Sequence, residues 1–255
     1  MQTIHIMPIK AFQDNYIWCF HDTQNAIVVD PGAADPVISM LNSQGLKLTG
    51  ILITHWHFDH IGGVEKLLSF SQCPVYGPDS SKIDCISEIV TENDTINLLG
   101  CGFEIITVPG HTLDHIAFFC ADYAWLFCGD TLFAGGCGRM FEGSAKMFYA
   151  SLQKLVKLPR NTQIFCAHEY TLNNLAFAET VEPDNQDIKK RIMITTNTLS
   201  DKGCSLPSTI DDELKTNPFI RVDNVSVIES ALNQGAQSSN PIDIFAALRE
   251  WKNHF

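Results

Sequence analysis

Thr54-His55-Trp56-His57-Phe58-Asp59-His60 follows the apolar run Ile51-Leu52-Ile53 and precedes Gly62-Gly63. A β-branched run that breaks into polar residues and then glycines reads as a buried strand ending in a loop, with a helix opening near Val64. Metal-capable side chains therefore gather where a strand meets its loop. Imidazole and carboxylate suit zinc, iron or manganese, whereas calcium wants mostly oxygens. His55 and His57 can converge on one ion from a turn, and Asp59 and His60 then point toward a second. A single histidine at a strand end is ordinarily a hydrogen-bonded structural residue. Three of them with an aspartate, all within residues 55–60, would crowd titratable groups into a half-buried loop. Without a cation that crowding costs about a few kcal/mol of desolvation.

The same construction recurs downstream. Residues 103–108 read as a strand running into Pro109-Gly110-His111-Thr112, 124–128 as one leading to Gly129-Asp130-Thr131, and 163–167 as one leading to His168-Glu169-Tyr170. Strand-to-loop junctions are where a sheet scaffold exposes functional groups. Taken alone, a Gly-Asp or Pro-Gly-His is a turn signal. With the central motif, these junctions complete a ligand inventory for two metals. Thr112 and His115 read as supports for His111, because a ligating imidazole usually has its other nitrogen held by a neighbour. Asp14, Asn15 and Glu142 read as loop supports. Phe133-Ala134-Gly135-Gly136-Cys137-Gly138 reads as a flexible loop behind Asp130, since it lacks the strand-and-helix context of a phosphate-binding motif.

Around this frame, residues 3–9, 16–20, 26–29 and 74–76 are β-rich, a helix is predicted over 35–41 with its stop at Gly45, and a short one over 64–70. Residues 80–93 carry no clear pattern. From about Thr171 the spacing turns helical, over 172–180, 185–199, 210–214, 225–232 and 242–252, with Ser208 and Asp243 placed to cap or charge helix starts. The division is therefore a sheet-bearing region, 1–170, and a helical region, 171–255.

Composition narrows the partners. With 255 residues and 45% hydrophobic content the chain can build a large core. A net charge of -12 with only 17 Lys and Arg disfavours nucleic acid, whose binding rests on clustered cations. No apolar run approaches the ~20 residues of a membrane span, and the first residues lack a basic, then apolar leader pattern. Nine cysteines, odd in number and without a Cys-x-x-Cys pair, suit reduced thiols packed in the core of a cytoplasmic protein.

The order His55-x-His57-x-Asp59-His60, His111, Asp130, His168 resembles the metallo-β-lactamase superfamily, and within it the type II glyoxalases, or hydroxyacylglutathione hydrolases. The likeness extends through Gly129-Asp130-Thr131-Leu132-Phe133, Gly136-Cys137-Gly138-Arg139, His168-Glu169-Tyr170-Thr171, Thr216-Asn217-Pro218-Phe219 and Arg249-Glu250-Trp251-Lys252. It implies an α+β fold, a four-layer αβ/βα sandwich with a C-terminal helical domain that binds substrate. It implies two divalent ions per chain, zinc ahead of iron or manganese. One would be held by His55, His57 and His111, the other by Asp59, His60 and His168, with Asp130 bridging. The family's glutathione-contacting positions fall on Arg139, Tyr170, Arg249 and Lys252. Arg139 stands where Lys is common, Phe141 where a Tyr hydroxyl is often used, and Trp56 where a non-ligating His is frequent.

The implied reaction is hydrolysis of S-(2-hydroxyacyl)glutathione, chiefly S-lactoylglutathione, to glutathione and D-lactate, the second step of methylglyoxal detoxification. Paired divalent ions lower the pKa of a shared water toward about 7, and the product thiolate suits a borderline-soft ion. Asp59 and Asp130 are the carboxylates placed to act on that water. Cationic Arg139, Arg249 and Lys252 would receive the carrier's carboxylate on an otherwise acidic monomer. Two rival readings are a mononuclear iron persulfide dioxygenase on the same scaffold and a non-enzymatic metal-holding module. The filled ligand positions and the Arg249–Lys252 tail favour the hydrolase.

Overall fold

The computed structural model describes residues 3–255. The chain forms two compact units, one containing the residues up to Thr107 together with Asp114–Gly129, the other Val108–Leu113 with Asp130–Phe255.

The first unit opens with β1 (His5–Ala11), β2 (Asn15–His21) and β3 (Asn25–Val29), followed by α1 (Ala34–Gln44) and β4 (Lys47–Leu52). Next come α2 (Phe58–Ile61), α3 (Val64–Phe70), β5 (Val75–Gly77) and β6 (Glu88–Ile89), then β7 (Thr95–Leu98), β8 (Cys101–Thr107), β9 (Ile116–Cys120) and β10 (Trp125–Gly129). Strands β1 to β6 lie side by side in chain order, antiparallel through β3 and parallel from β3 onward. Strands β7 to β10 form antiparallel neighbours in a second sheet. Helix α1 makes the crossover that lets β4 run parallel to β3, and it stops where Gly45 takes a left-handed φ of 65°. Its buried Ala34, Val37 and Leu41 join Val64 and Leu67 of α3 against Ile17, Cys19, Val28 and Ile51 of the first sheet. On the opposite face of that sheet, Phe20 meets Phe103 and Phe127 of the second at ring distances of 5.2 and 5.7 Å. One sheet thus carries helices on one side and another sheet on the other, because every residue of β3 from Ala26 to Val29 is buried and apolar.

The second unit contains β11 (Leu132–Phe133), β12 (Gly136–Cys137), α4 (Ala145–Leu155), β13 (Gln163–Cys166) and α5 (Thr171–Val181). It continues with α6 (Gln186–Lys202), β14 (Ser208–Thr209), α7 (Ile210–Thr216), α8 (Val225–Asn233) and α9 (Pro241–Asn253). Phe148, Phe177, Phe219 and Phe245 form a chain of rings spaced 5.8 to 6.0 Å apart that joins α4, α5 and α9. Two carboxylates buried among these helices are matched by guanidinium groups, Glu213 by Arg191 at 2.6 Å and Glu182 by Arg221 at 2.8 Å.

Several expectations are revised. Residues 133–138 are not a flexible loop: they form the β11–β12 hairpin and are buried throughout. Ser208 does not cap α7; Thr209 does, accepting from Asp212 N–H, while Ser208 donates to Glu213. Asn240, with Pro241 at the first helical position, caps α9, and Asp243 lies in its first turn. Helix α4, unanticipated, is capped by Ser144 and buries Phe148, Leu152 and Leu155. No disulfide joins the described cysteines, and burial pushes the Cys19 thiol up to about 12. Among the described residues no helix is long and apolar enough to cross a membrane.

The aromatic contact between the two sheets of the first unit is the test of this packing. Phe20→Ala is expected to lower unfolding free energy by about 3–5 kcal/mol in a urea titration, and a loss below about 1 kcal/mol would contradict the packing described.

Candidate functional site

The first unit gathers its ligand candidates at the end of β4. The parallel register sets Val29 opposite Leu52, which brings Asp30, the next residue of one strand, beside Ile53 and Thr54 of the other. Asp30 N–H bonds to Leu52 O at 2.9 Å, and its φ of 52° lies in the left-handed region, which aspartate tolerates better than most residues. Its buried carboxylate accepts from Thr54 N–H at 2.7 Å, from the Thr54 hydroxyl at 2.7 Å and from His60 Nδ1 at 3.0 Å. The close turn after it requires Gly32, whose added Cβ would stand 1.8 Å from the Asp59 carbonyl.

These bonds assign the protons. A carboxylate only accepts, so His60 Nδ1 carries hydrogen and Nε2 keeps its lone pair. The single Thr54 hydroxyl proton goes to Asp30, so Thr54 Oγ1, 3.0 Å from His55 Nδ1, accepts there and leaves His55 Nε2 as the basic nitrogen. His55 Nε2 lies 3.1 Å from His57 Nδ1, and His60 Nε2 lies 3.6 Å from Asp59 Oδ2. Asn15 donates to that Asp59 oxygen at 2.9 Å. His115 stacks on His55 with ring centroids 4.5 Å apart and gives its own Nδ1 proton to Ile116 O.

The second unit holds the rest. His111 donates from Nδ1 to the Arg139 carbonyl at 2.8 Å, which leaves Nε2 basic in turn. Asp130 lies between two imidazoles, with Oδ2 3.4 Å from His111 Nε2 and Oδ1 3.4 Å from His168 Nε2. Tyr170 stacks on His168 at 4.7 Å, and Phe133 meets both rings edge-on. A cleft of about 490 Å³ is lined by His111, Asp130, Arg139, Tyr170, Arg249 and Lys252 among others.

These spacings test whether a cation suits the residues. Two N or O donors, each about 2.1 Å from one tetrahedral ion, stand about 3.4 Å apart. The distances of 3.1, 3.4, 3.4 and 3.6 Å between these atoms are close to that spacing, and all four exceed the roughly 2.7–2.9 Å of a charge-assisted hydrogen bond. An all-imidazole and carboxylate donor set fits zinc, iron or manganese. Asp30, also clustered with His55 and His60, already accepts three hydrogen bonds, one from His60 itself and two from Thr54, the partner of His55 Nδ1, so it orients both imidazoles.

Around the cleft, the four positions expected to contact substrate differ in setting. Arg139 is exposed, and Tyr170 is half-buried. Lys252 donates to Asn173 O and Oδ1 at 3.1 Å and lies near the rings of Phe177 and Phe255. Burial, followed by the neighbouring Arg249 charge, lowers its pKa to about 8. Arg249 is 4% exposed, donates to the carbonyls of Cys137 and Gly138 at 2.9 and 3.3 Å, and lies over Phe219. Burial raises the Cys137 thiol pKa, a shift opposed by Arg249 and Lys252. Phe141, 62% exposed, lines the cleft edge-on to His111. Sequence reasoning missed Asp30, whose only local signal was a strand ending in Asp-Pro-Gly. It also missed Glu213, which accepts from Gly135 N–H behind the β11–β12 hairpin.

Residues 13–83 and 87–168 match the metallo-beta-lactamase superfamily, and residues 169–255 match the hydroxyacylglutathione hydrolase C-terminus. The hydroxyacylglutathione hydrolase of Nitrosomonas eutropha is 46% identical over 255 residues, covering 99% of both chains. That of Ectopseudomonas mendocina is 47% identical over 256 residues, covering 99% of this chain and all of its own. In fold, ETHE1 from Myxococcus xanthus superposes with a TM-score of 0.66 at 24% identity, covering 98% of each chain. The fold is that of the metallo-β-lactamases, extended by a C-terminal helical region. With identity of this level sustained from end to end, the chain belongs to the hydroxyacylglutathione hydrolase family of the metallo-β-lactamase superfamily.

Proposed function

We propose that this protein is a metal-dependent thioester hydrolase that cleaves S-(2-hydroxyacyl)glutathione, with S-lactoylglutathione as principal substrate, to glutathione and D-lactate in the second step of methylglyoxal detoxification. The carrying observation is that one cleft is lined both by His111 and Asp130, whose basic atoms have ligand spacing, and by the ammonium of Lys252. An anionic thiol carrier held by a cation near a metal-binding carboxylate is the arrangement that this reaction needs. The match of residues 169–255 to the hydrolase C-terminus favours this reading over a dioxygenase on the same scaffold.

In this reading His55, His57 and His111 hold one divalent ion, and Asp59, His60 and His168 hold a second, with Asp130 shared. Zinc is preferred to iron or manganese. When bound, such ions supply a water acidified toward neutral pH and an electrophilic field for the thioester oxygen. The protein's own groups do the rest. Asp30, Thr54 and the Arg139 carbonyl keep Nδ1 protons in place, so that three imidazoles present Nε2 as a donor. Asp130 supplies one oxygen toward each neighbouring histidine, and Asp59, steadied by Asn15, orients the attacking water. Oxygen adds to the acyl carbon, the carbon–sulfur bond breaks, and the released thiol leaves along the cleft. Lys252, Arg139 and Tyr170 engage the glutathione moiety, and Arg249 adds its positive charge to the same cleft. Residues 1–170 act as the metal-binding catalytic region and 171–255 as the substrate-binding region. The protein works as a cytoplasmic monomer, without nucleic acid or membrane as partner.

Thiol release from S-lactoylglutathione by metal-loaded protein, paired with elemental analysis, tests the reading: about two ions per chain and metal-dependent release are expected, and loaded protein that releases no thiol would sink it. Asp130→Ala is expected to lower kcat by about 10³-fold, the scale of several kcal/mol at roughly 1.4 kcal/mol per decade. A loss under tenfold would contradict a shared ligand role. Lys252 loses its charge as pH rises through about 8, so KM for the anionic substrate is expected to climb between pH 7 and 9. In Lys252→Met that climb should be absent. A KM in the unsubstituted protein that stays flat over this range would remove Lys252 from substrate binding.

A further inference from the structure

His168 lies just past the end of β13, and the chain that runs beside that strand decides how the end is held. Helix α6 stops where Gly203 takes a left-handed φ of 67°, and the residues after it lead into β14, which pairs antiparallel with β13 through Gln163–Thr209 and Ile164–Ser208. Continued back from Ser208, that register brings Ser205 past the end of β13. There it meets Glu169. The Glu169 carboxylate accepts Ser205 N–H at Oε2 over 2.7 Å, and its Oε1 lies 2.6 Å from the Ser205 hydroxyl and 2.7 Å from the Thr171 hydroxyl. The two hydroxyl oxygens are themselves 2.7 Å apart. Each hydroxyl holds one proton and each contact takes only one, so at least one proton reaches the carboxylate whichever way the hydroxyls turn.

Residues 168–171 thus divide their side chains between two sets of partners. His168 and Tyr170 stack on each other at 4.7 Å with ring planes 8° apart, and both meet Phe133 edge-on. Glu169 and Thr171 go to Ser205 instead. His168 Nε2 stands 3.4 Å from Asp130 Oδ1, so the direction of its ring matters to the site. The peptide between residues 168 and 169 links the two sets. A carboxylate held by a main-chain N–H and by hydroxyls cannot rotate freely, and the backbone that carries His168 cannot rotate without it.

We infer that Glu169 is a positioning residue: by fastening the chain just after His168 to Ser205 and Thr171, it fixes the direction in which the His168 imidazole faces Asp130. This deepens the hydrolase reading and rests on it for the use to which His168 is put. The holding is done by hydrogen bonds, and this separates two substitutions. Glutamine keeps one oxygen for Ser205 N–H, and its NH2 group can donate to the two hydroxyls, which accept as readily as they donate. Methionine keeps the length of the side chain and offers neither function.

The experiment compares Glu169→Met, Glu169→Gln and Ser205→Ala with the unsubstituted protein in three readouts. They are amide hydrogen exchange at Ser205 in metal-free protein, zinc affinity by chelator competition, and thiol release from S-lactoylglutathione at limiting and at excess zinc. Glu169→Met is expected to exchange about tenfold faster or more at Ser205, as a locally released amide does. It should bind zinc about 10–100-fold more weakly, the range seen when an outer support of a ligand is removed. Its activity should fall at limiting zinc and recover in excess zinc. Glu169→Gln should stay within about threefold of the unsubstituted protein in zinc affinity, because the acceptor for Ser205 N–H survives. Ser205→Ala removes one hydroxyl and keeps the main-chain bond, so it should weaken zinc binding less than Glu169→Met does, and it carries the test if the Met variant does not fold. Zinc affinity unchanged in Glu169→Met, or in Ser205→Ala where only that variant folds, overturns the inference. So does a Gln variant as impaired as the Met variant, or a Met variant that stays impaired in excess zinc. Exchange and zinc affinity need no turnover, so an unsubstituted protein that binds zinc but cleaves no thioester would sink the hydrolase reading alone.

Discussion

An imidazole can offer a lone pair to a cation only from the nitrogen that carries no proton, and which nitrogen that is depends on what accepts the other's hydrogen. In this protein three different acceptors settle the matter for three rings: the Asp30 carboxylate for His60, the Thr54 hydroxyl for His55, and the Arg139 carbonyl for His111. Each leaves Nε2 as the basic atom. The Thr54 hydroxyl can accept only because Asp30 takes its proton, so one carboxylate governs two histidines. That carboxylate is in place because β3 and β4 run parallel with Val29 beside Leu52, and it is buried because the strands around it are apolar on both faces. The hydrophobic sequence of β3 is thus connected, through register, to the protonation of residues distant along the chain.

The helical region has an analogous part in the second unit. Its phenylalanine chain orders α4, α5 and α9, and the polar side chains carried on α5, α7 and α9 then meet the main chain of a hairpin too short to brace itself. Two-residue strands contribute few ladder bonds, and buried carbonyls without partners are costly. Asn174, Asn217 and Arg249 supply the missing donors. Burying Arg249 beside Lys252 has an electrostatic consequence: the second cation is desolvated and repelled, which lowers its pKa into the range where physiological changes in pH alter its charge. A cation that is easily neutralised is also one that gains most from a bound carboxylate.

The sequence was most legible in where its polar clusters fall relative to the strands. Residues 55–60 concentrate ligand types that a packed loop would not otherwise hold, and each later junction placed its residue just past a strand end, where the structure also has it. Asp30 was not legible, because nothing within its own stretch distinguishes a strand-ending Asp-Pro-Gly turn from one whose carboxylate organises a neighbouring strand. Only the parallel pairing reveals it. Residues 133–138 misled for a related reason: glycines signal freedom in a sequence, yet here they allow close approach of backbone to Asp130, His111 and Asn174. Helix α4 was readable in principle, since Ser144 followed by Phe148, Leu152 and Leu155 is a cap and a helical stripe. The bonds of Arg249 to the Cys137 and Gly138 carbonyls were not legible, because one-dimensional spacing does not tell which side of α9 meets a hairpin more than a hundred residues upstream in sequence.

The central claim, that the protein itself sets the donor nitrogen of His55, His60 and His111, is measured most directly by long-range ¹H–¹⁵N correlation spectra of the imidazoles in metal-free protein near neutral pH. The account requires all three rings to show hydrogen on Nδ1 and a basic, unprotonated Nε2. Protonated Nε2 in these rings, or rapid averaging between tautomers, would contradict it.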